Sequence, residues 1–96
     1  NSKDKLLLSI AKSAIGDAFL ELNQPKEALT YYQKALKIND NVLTSPILLM
    51  KCANIYETES EYNKALNCYQ TIKTQYPDAE IAKTIDKYIN SVKYSN

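Results

Sequence analysis

The fold of this chain follows from a stretch that occurs twice, PKEALTYYQKAL at residues 25–36 and YNKALNCYQTI at residues 62–72. A shift of 37 residues aligns the two stretches and also aligns residues that precede them. The matching pairs are Ala28 with Ala65, Leu29 with Leu66, Tyr32 with Tyr69, Gln33 with Gln70, Ile10 with Ile47, and Phe19 with Tyr56. Self-similarity at a period of about 20 to 50 residues is typical of repeat proteins. The chain is therefore expected to contain two copies of one structural unit.

The first copy has the apolar spacing of two helices. One apolar face recurs every three or four residues and comprises Ile10, Ala14, Ile15, Ala18, Phe19 and Leu22. Ser9 is expected to be the N-cap of this helix, which should run to about Leu22, and Asn23 and Gln24 should form a turn. Pro25 suits the first position of a second helix, which should end near Ile38. This copy is predicted to be a helix-turn-helix unit.

The second copy repeats these signals. Ser45 followed by Pro46 predicts the cap and start of a third helix, after the loop-forming residues 39–41. Ser60 is expected to cap a fourth helix, which Pro77 should end. Asp78 is expected to cap a fifth helix, with an apolar face made of Ile81, Ile85, Tyr88, Ile89 and Val92. Such a last helix would cover the apolar end of a helical solenoid.

The predicted fold is all-α, a right-handed α-solenoid of two helix-turn-helix repeats and a C-terminal capping helix, with five helices in all. The expected divisions are residues 1–8 as an inter-repeat link or N-terminal arm, 9–44 and 45–78 as the repeats, and 79–96 as the capping helix and tail. Residues 3–9 echo residues 39–45, the link between the repeats, which suggests that an earlier repeat once preceded this chain. A simple N-terminal arm is the alternative.

Composition excludes several kinds of function. The chain has no His and no Arg, and its 12 Lys are balanced by 11 acidic residues. A histidine base, a typical zinc site and bidentate recognition of phosphate are therefore disfavoured, as is a nucleic-acid partner. Cys52 and Cys68 lack metal-ligand or redox spacing and are expected to be packing residues. No enzyme activity, cofactor, metal or small-molecule substrate is predicted.

Both copies resemble the tetratricopeptide repeat. The matching residues are Ile15, Gly16, Phe19, Ala28, Tyr32 and Ala35 in the first copy, and Cys52, Ala53, Tyr56, Tyr62, Ala65, Tyr69 and Pro77 in the second. The family's frequent Trp is replaced by Lys12 and Leu49, and its turn Gly by Asn23 and Ser60. The resemblance implies a scaffold that binds a protein or peptide partner.

A narrower resemblance rests on the longer link before Ser45 and on the segment from Tyr76 to Ile89. These features are similar to bacterial membrane-anchored tetratricopeptide proteins related to ancillary subunits of the secretory translocon. That resemblance implies an upstream membrane anchor and a location on the extracytoplasmic side of a bacterial inner membrane. A cytoplasmic location is the alternative.

The resemblance also implies that the first helix of each repeat lines a concave binding face. The candidate partner-binding residues are Ser13, Asp17, Leu20, Glu21, Met50, Lys51, Asn54, Glu57, Thr84 and Tyr88. Acidic groups beside an adaptable Met and an Asn amide suit an extended or helical peptide that carries Lys. Capture of a terminal carboxylate is disfavoured because Asp17 would repel it. The alternative function is structural self-assembly, a homo-oligomer stacking through exposed ends of the solenoid.

Overall fold

The computed structural model describes residues 1–94, and over this range the chain forms five α-helices and one short 3-10 helix, without a β-strand. The predicted all-α class and the two helical pairs are confirmed. The helices group into two compact units, one formed by residues 1–41 and the other by the described residues from Val42 onward. The predicted tail residues 95 and 96 lie outside the described part, and the predicted domain limits stay predictions.

The first unit consists of α1 (Ser2–Glu21) and α2 (Pro25–Ile38), which pack against each other. Helix α1 begins seven residues before the predicted cap at Ser9, so that prediction is wrong. Its N-cap is Asn1, whose side-chain Oδ1 accepts a hydrogen bond from the backbone N–H of Asp4 at 3.0 Å. Ser9 is instead buried inside the helix, where its hydroxyl donates to the carbonyl of Ala35 at 2.9 Å.

The turn after α1 has the same geometry as the turn after the third helix. Asn23 and Ser60, which are 37 residues apart, both adopt left-handed backbone conformations with φ near 60°. The next residue in each turn closes the helix, since Gln24 donates to the carbonyl of Phe19 at 2.9 Å and Glu61 to that of Tyr56 at 2.7 Å. This is the usual way to satisfy carbonyls at a helix end. The sequence repeat is therefore also a repeat of backbone conformation.

Close contact between α1 and α2 depends on Gly16. A Cβ atom built on Gly16 would lie 2.7 Å from Cε1 of Tyr32, a residue with no exposed surface. The α2 residues that are fully buried are Ala28, Tyr32 and Ala35. Small residues therefore lie against a large aromatic one between the two helices of this pair.

The predicted apolar face of α1 is not a core face. Ile10 is 51% exposed, Ile15 is 39% exposed and Leu22 is 65% exposed. The buried residues of α1 are Ser9 and Gly16, which lie on the opposite side of the helix, at helical spacing from each other. Apolar periodicity identifies the two sides of a helix but does not say which side another helix covers.

The second unit contains α3 (Ser45–Thr58) and α4 (Tyr62–Gln75), again packed as a pair. The predicted caps Ser45 and Ser60 are wrong, because the N-cap residues are Thr44 and Glu61 and neither makes a side-chain capping bond. Ser45 is a buried first-turn residue, and Ser60 is used for the left-handed turn. Helix α4 ends before Tyr76 and Pro77, as predicted.

The last helical segment starts differently from the prediction. Asp78 does not cap it, because Ala79 precedes a 3-10 helix, Glu80–Thr84, which leads into α5 (Ile85–Lys93). The predicted apolar face of α5 is confirmed at Ile85, Ile89 and Val92, which are buried. Helix α5 packs on α4. It therefore completes the core of the second unit.

Candidate partner-binding surface

In the first unit, Asp17 is held by a tyrosine of the neighbouring helix. The ring of Tyr32 is fully buried, and its hydroxyl reaches the partly buried edge of α1, where it donates a hydrogen bond to Oδ1 of Asp17. A carboxylate that accepts such a bond has a restricted orientation. Asp17, predicted as part of a binding face, is therefore anchored by the core rather than freely mobile in solvent.

The second unit contains the corresponding tyrosine, Tyr69, with two acceptors on α3. Its hydroxyl lies 2.5 Å from Oε2 of Glu57 and 3.5 Å from Oδ1 of Asn54. Asn54 is the residue that corresponds to Asp17 after a shift of 37 residues, just as Tyr69 corresponds to Tyr32. The same interaction, from a buried tyrosine to a polar residue on the first helix, is present in both copies.

Tyr69 also contacts Tyr88 of α5. The ring centroids are 5.5 Å apart and the planes are tilted by 32°, a common geometry for aromatic pairs. Three predicted site residues, Asn54, Glu57 and Tyr88, are thus brought together around one buried side chain. The sequence identified Tyr69 as a residue that matches the repeat but did not reveal its hydroxyl as the group that organises this cluster.

The tyrosine hydroxyl remains a donor over the physiological pH range. Burial is the main cause that raises the pKa of Tyr69, and the hydrogen bond to Glu57 and the negative charge of that carboxylate raise it further. The hydroxyl proton therefore stays on Tyr69, and the Glu57 oxygen accepts a hydrogen bond from it. The cluster of Tyr69, Glu57, Asn54 and Tyr88 is a fixed set of polar and aromatic groups rather than an acid-base pair.

The other predicted residues differ in accessibility. Leu20, Glu21 and Thr84 are exposed, whereas Ser13, Met50 and Lys51 are half-buried. Thr84 makes no described contact with the cluster around Tyr69. It contributes instead to a separate apolar groove within the second unit.

That groove was not predicted from the sequence. It has a volume of about 750 Å³ and lies between the start of α3 and the segment that follows α4. Its main apolar lining residues are Val42, Leu43, Pro46, Ile47, Pro77 and Ile81. Val42 and Leu43 are 67% and 78% exposed. The sequence signal for this groove was the apolar pair Val42 and Leu43 in the otherwise polar link before α3.

Metal-ligand clusters and reactive thiols are both absent from residues 1–94. That part of the chain has no cluster of three or more acidic or cysteine side chains placed to hold a metal ion. Cys52 and Cys68 are buried free thiols, as predicted. Burial, with a smaller effect of Cys68, raises the pKa of Cys52 to about 12, and burial raises the pKa of Cys68 to about 11. Neither thiol has the low pKa of a reactive nucleophile.

Across the described residues, the helices are too short or too polar for any of them to cross a lipid bilayer.

Comparison with known proteins gives a match to one family. Residues 9–42 match the family model described as tetratricopeptide repeat. Neither a curated protein nor a solved structure matches the chain. The narrower relation to membrane-anchored translocon-associated proteins is not confirmed by these comparisons and stays a prediction.

The matched segment contains most of α1, the turn at Asn23 and all of α2, which is one complete helix pair with a small residue against a buried tyrosine. Proteins with this repeat are in general protein-interaction scaffolds rather than enzymes. The second helix pair has the same turn geometry and the same tyrosine contact. Residues 9–42 are thus similar to one tetratricopeptide repeat, and the second helix pair shares the turn geometry of that segment.

Proposed function

We propose that each helix pair binds a protein or peptide segment along the exposed face of its first helix, which is α1 in the first unit and α3 in the second. The supporting observation is that each helix presents an acceptor oriented by a buried tyrosine, Asp17 by Tyr32 and Glu57 by Tyr69. Oriented acceptors lose less conformational entropy when they bind a partner than mobile side chains do. This gives both helices a polar contact that is prepared for binding.

The chemistry of these positions favours a partner segment with Lys side chains and exposed backbone N–H groups. The acceptors are carboxylate or amide oxygens, and Glu21 adds a further exposed carboxylate on α1. Met50 supplies a half-buried apolar contact that can adapt to different side chains. A segment with acidic residues or a terminal carboxylate at these points would be repelled.

The experiment is a binding titration with two fluorescent peptides of equal length, one in which Lys alternates with apolar residues and one in which Glu replaces each Lys. The parent chain is compared with the Asp17→Asn, Glu57→Gln double variant. This variant removes two charges but keeps an oxygen that can accept from each tyrosine, so folding should be preserved. Retained helicity is checked by circular dichroism.

The matched control is the Glu27→Gln, Glu59→Gln double variant, which changes the net charge equally at exposed positions. We expect the parent and the control to bind the Lys peptide alike, and the Asp17→Asn, Glu57→Gln variant to bind it several-fold more weakly. Equal weakening in both variants would reduce the effect to net charge and would argue against this surface. Stronger binding of the Glu peptide would also contradict the proposal.

A further inference from the structure

Helix α1 carries a continuous apolar face on the side opposite to its buried residues Ser9 and Gly16. We call it the α1 seam, and it consists of Leu8, Ala11, Ile15, Ala18 and Leu22. Every member is exposed, with Leu8 at 48%, Ile15 at 39% and Leu22, which directly follows the helix, at 65%. An exposed apolar face that runs along a 20-residue helix is unusual on a soluble unit and indicates an interaction surface.

In the second copy of the repeat, most of the residues that correspond to the α1 seam are buried. After the shift of 37 residues, Ala11, Ile15 and Ala18 correspond to Leu48, Cys52 and Ile55 of α3. Those three residues are only 3%, 2% and 3% exposed. The same face of the repeat is therefore covered in one copy and uncovered in the other, where it keeps its apolar character.

The spacing of the α1 seam is that of a helix that packs along another helix. Leu8, Ile15 and Leu22 are seven residues apart, and Ala11 and Ala18 follow the first two by three residues. Alternation by three and four residues is the pattern of the contact face in coiled coils. The pattern extends over the length of α1, so its partner should be a helix of similar length.

The seam is complementary to itself in an antiparallel arrangement. Two copies of α1 can run in opposite directions with Ile15 of one copy level with Ala11 of the other. In this register Leu8 of each copy lies level with Ala18 of the other copy. Each layer then pairs a large residue with a small one, which permits close interdigitation. The two outer layers contain Leu22 and Asp4 and lie at the solvated ends.

The charged residues at the two ends of α1 also favour antiparallel packing. Lys3 and Lys5, with Asp4 between them, give the first turns of α1 a net positive charge, whereas Glu21 lies in its last turn, which has no basic residue. Antiparallel packing places the lysines of one copy beside the glutamate and the negative helix end of the other copy. Parallel packing would place the lysines of both copies together.

We propose that two copies of this chain form a symmetric dimer through antiparallel packing of their α1 seams. The contact uses the same residues from both copies, as a two-fold symmetric interface does. It leaves Asp17 on a different side of α1, and Glu21 is the residue that the dimer shares with the proposed peptide-binding surface.

The first test is the mass of the whole chain in solution as a function of concentration, measured by sedimentation equilibrium. Ile15→Lys places two charges near the centre of the proposed interface and should make the protein monomeric, with at least about a ten-fold increase in the dissociation constant. Ile47→Lys is the matched control, because Ile47 is 55% exposed and lies on α3, outside the seam. It should associate as the parent does.

The second test establishes direction and register with a short bismaleimide cross-linker. A mixture of Leu8→Cys and Ala18→Cys proteins should give a mixed cross-linked dimer, and Leu8→Cys alone should give almost none. The parent chain, whose two cysteines are buried, controls for background reaction. A monomer at all concentrations, association unchanged by Ile15→Lys, or cross-linking of Leu8→Cys with itself would overturn the proposal. A monomeric result would mean that another helix covers the seam.

Discussion

The hydroxyl of Tyr69 donates a hydrogen bond to the carboxylate of Glu57, with 2.5 Å between the two oxygen atoms. The ring of Tyr69 has no exposed surface, while Glu57 lies at the half-buried edge of α3. This one residue thus connects the core of the second unit to the surface proposed to bind a partner. A change at Tyr69 should affect stability and the binding surface together.

Replacement of Tyr69 by Phe should therefore lower the free energy of unfolding. It removes the hydroxyl but keeps the ring, so packing is preserved while the bonds to Glu57 and Asn54 are lost. A hydrogen bond to a charged group contributes about 1.5 to 3 kcal/mol. Urea unfolding monitored by circular dichroism measures the loss. Tyr94→Phe is the control, since Tyr94 is 87% exposed and the change there should be near zero.

Gly16→Ala should destabilise the first unit although Ala is the better helix former. The new Cβ atom would lie 2.7 Å from Cε1 of Tyr32 and 3.2 Å from the carbonyl oxygen of Ala28. Overpacking of this kind costs about 1 to 3 kcal/mol, which exceeds the gain in helix propensity of about 1 kcal/mol. Thermal unfolding of the parent and the variant compares the two effects.

Ala53 provides the reciprocal control, because it is the residue that corresponds to Gly16 in the second copy. It is fully buried in α3, so Ala53→Gly should also lower stability, by about 1 kcal/mol, through loss of helix propensity. If Gly16→Ala raised the unfolding temperature, Tyr32 would have to move aside easily, and the close contact of the two helices would not be needed.

Stability should fall at alkaline pH because of the two buried thiols. Their ordinary pKa is 9.0, and the fold raises it to about 12 for Cys52 and about 11 for Cys68. Above pH 9 the unfolded chain loses these protons while the folded chain keeps them, so unfolding becomes more favourable as pH rises. The loss should begin near pH 9 and continue up to about pH 11 to 12, where the folded thiols also ionise.

The measurement is the free energy of unfolding from urea titrations between pH 7 and pH 10.5, under reducing conditions. Each thiol adds a slope of up to about 1.4 kcal/mol per pH unit in this range. A Cys52→Ala, Cys68→Ala variant should be less stable at pH 7 but should show a shallower decline above pH 9. An identical decline in this variant would assign the effect to other groups, such as Tyr69.

Ser9→Ala should cost about 1 kcal/mol, because the buried hydroxyl of Ser9 donates to the carbonyl of Ala35 at 2.9 Å. The carbonyl keeps a second donor, the N–H of Asn39 at 3.3 Å, so the loss should not be larger. Ser2→Ala, at an exposed first-turn position, is the comparison. Equal stability of the parent and Ser9→Ala in urea unfolding would show that the bond between the helices contributes little.

Local features of the sequence were sufficient to predict where several helices begin or end. Pro25 predicted the start of α2, because proline fits the first turn, and Pro77 predicted the end of α4. Serine caps were less reliable. Ser9, Ser45 and Ser60 were all expected to cap helices and none does, because the same hydroxyl can serve a buried contact, a first turn or a left-handed turn.

The candidate site was predicted only in part. Asp17, Asn54 and Glu57 were chosen by their place in the repeat, but the tyrosine bonds that orient them were not anticipated. A sequence pattern can place Tyr69 in a core, but it does not show which groups its hydroxyl contacts. The apolar groove at Val42 and Leu43 was missed because it combines residues that are distant along the chain.

The sequence by itself determined that the chain is all-α and that it repeats after 37 residues, because helical periodicity and identical side chains at equal spacing are properties of the chain alone. Only the tertiary structure decided which side of α1 is buried. In α1 the small residues Ser9 and Gly16 face the partner helix, whereas Ile15 and Leu22 remain exposed. The physical reason is that close packing of two helices around Tyr32 requires small residues at the contact, so the more apolar side of α1 faces solvent.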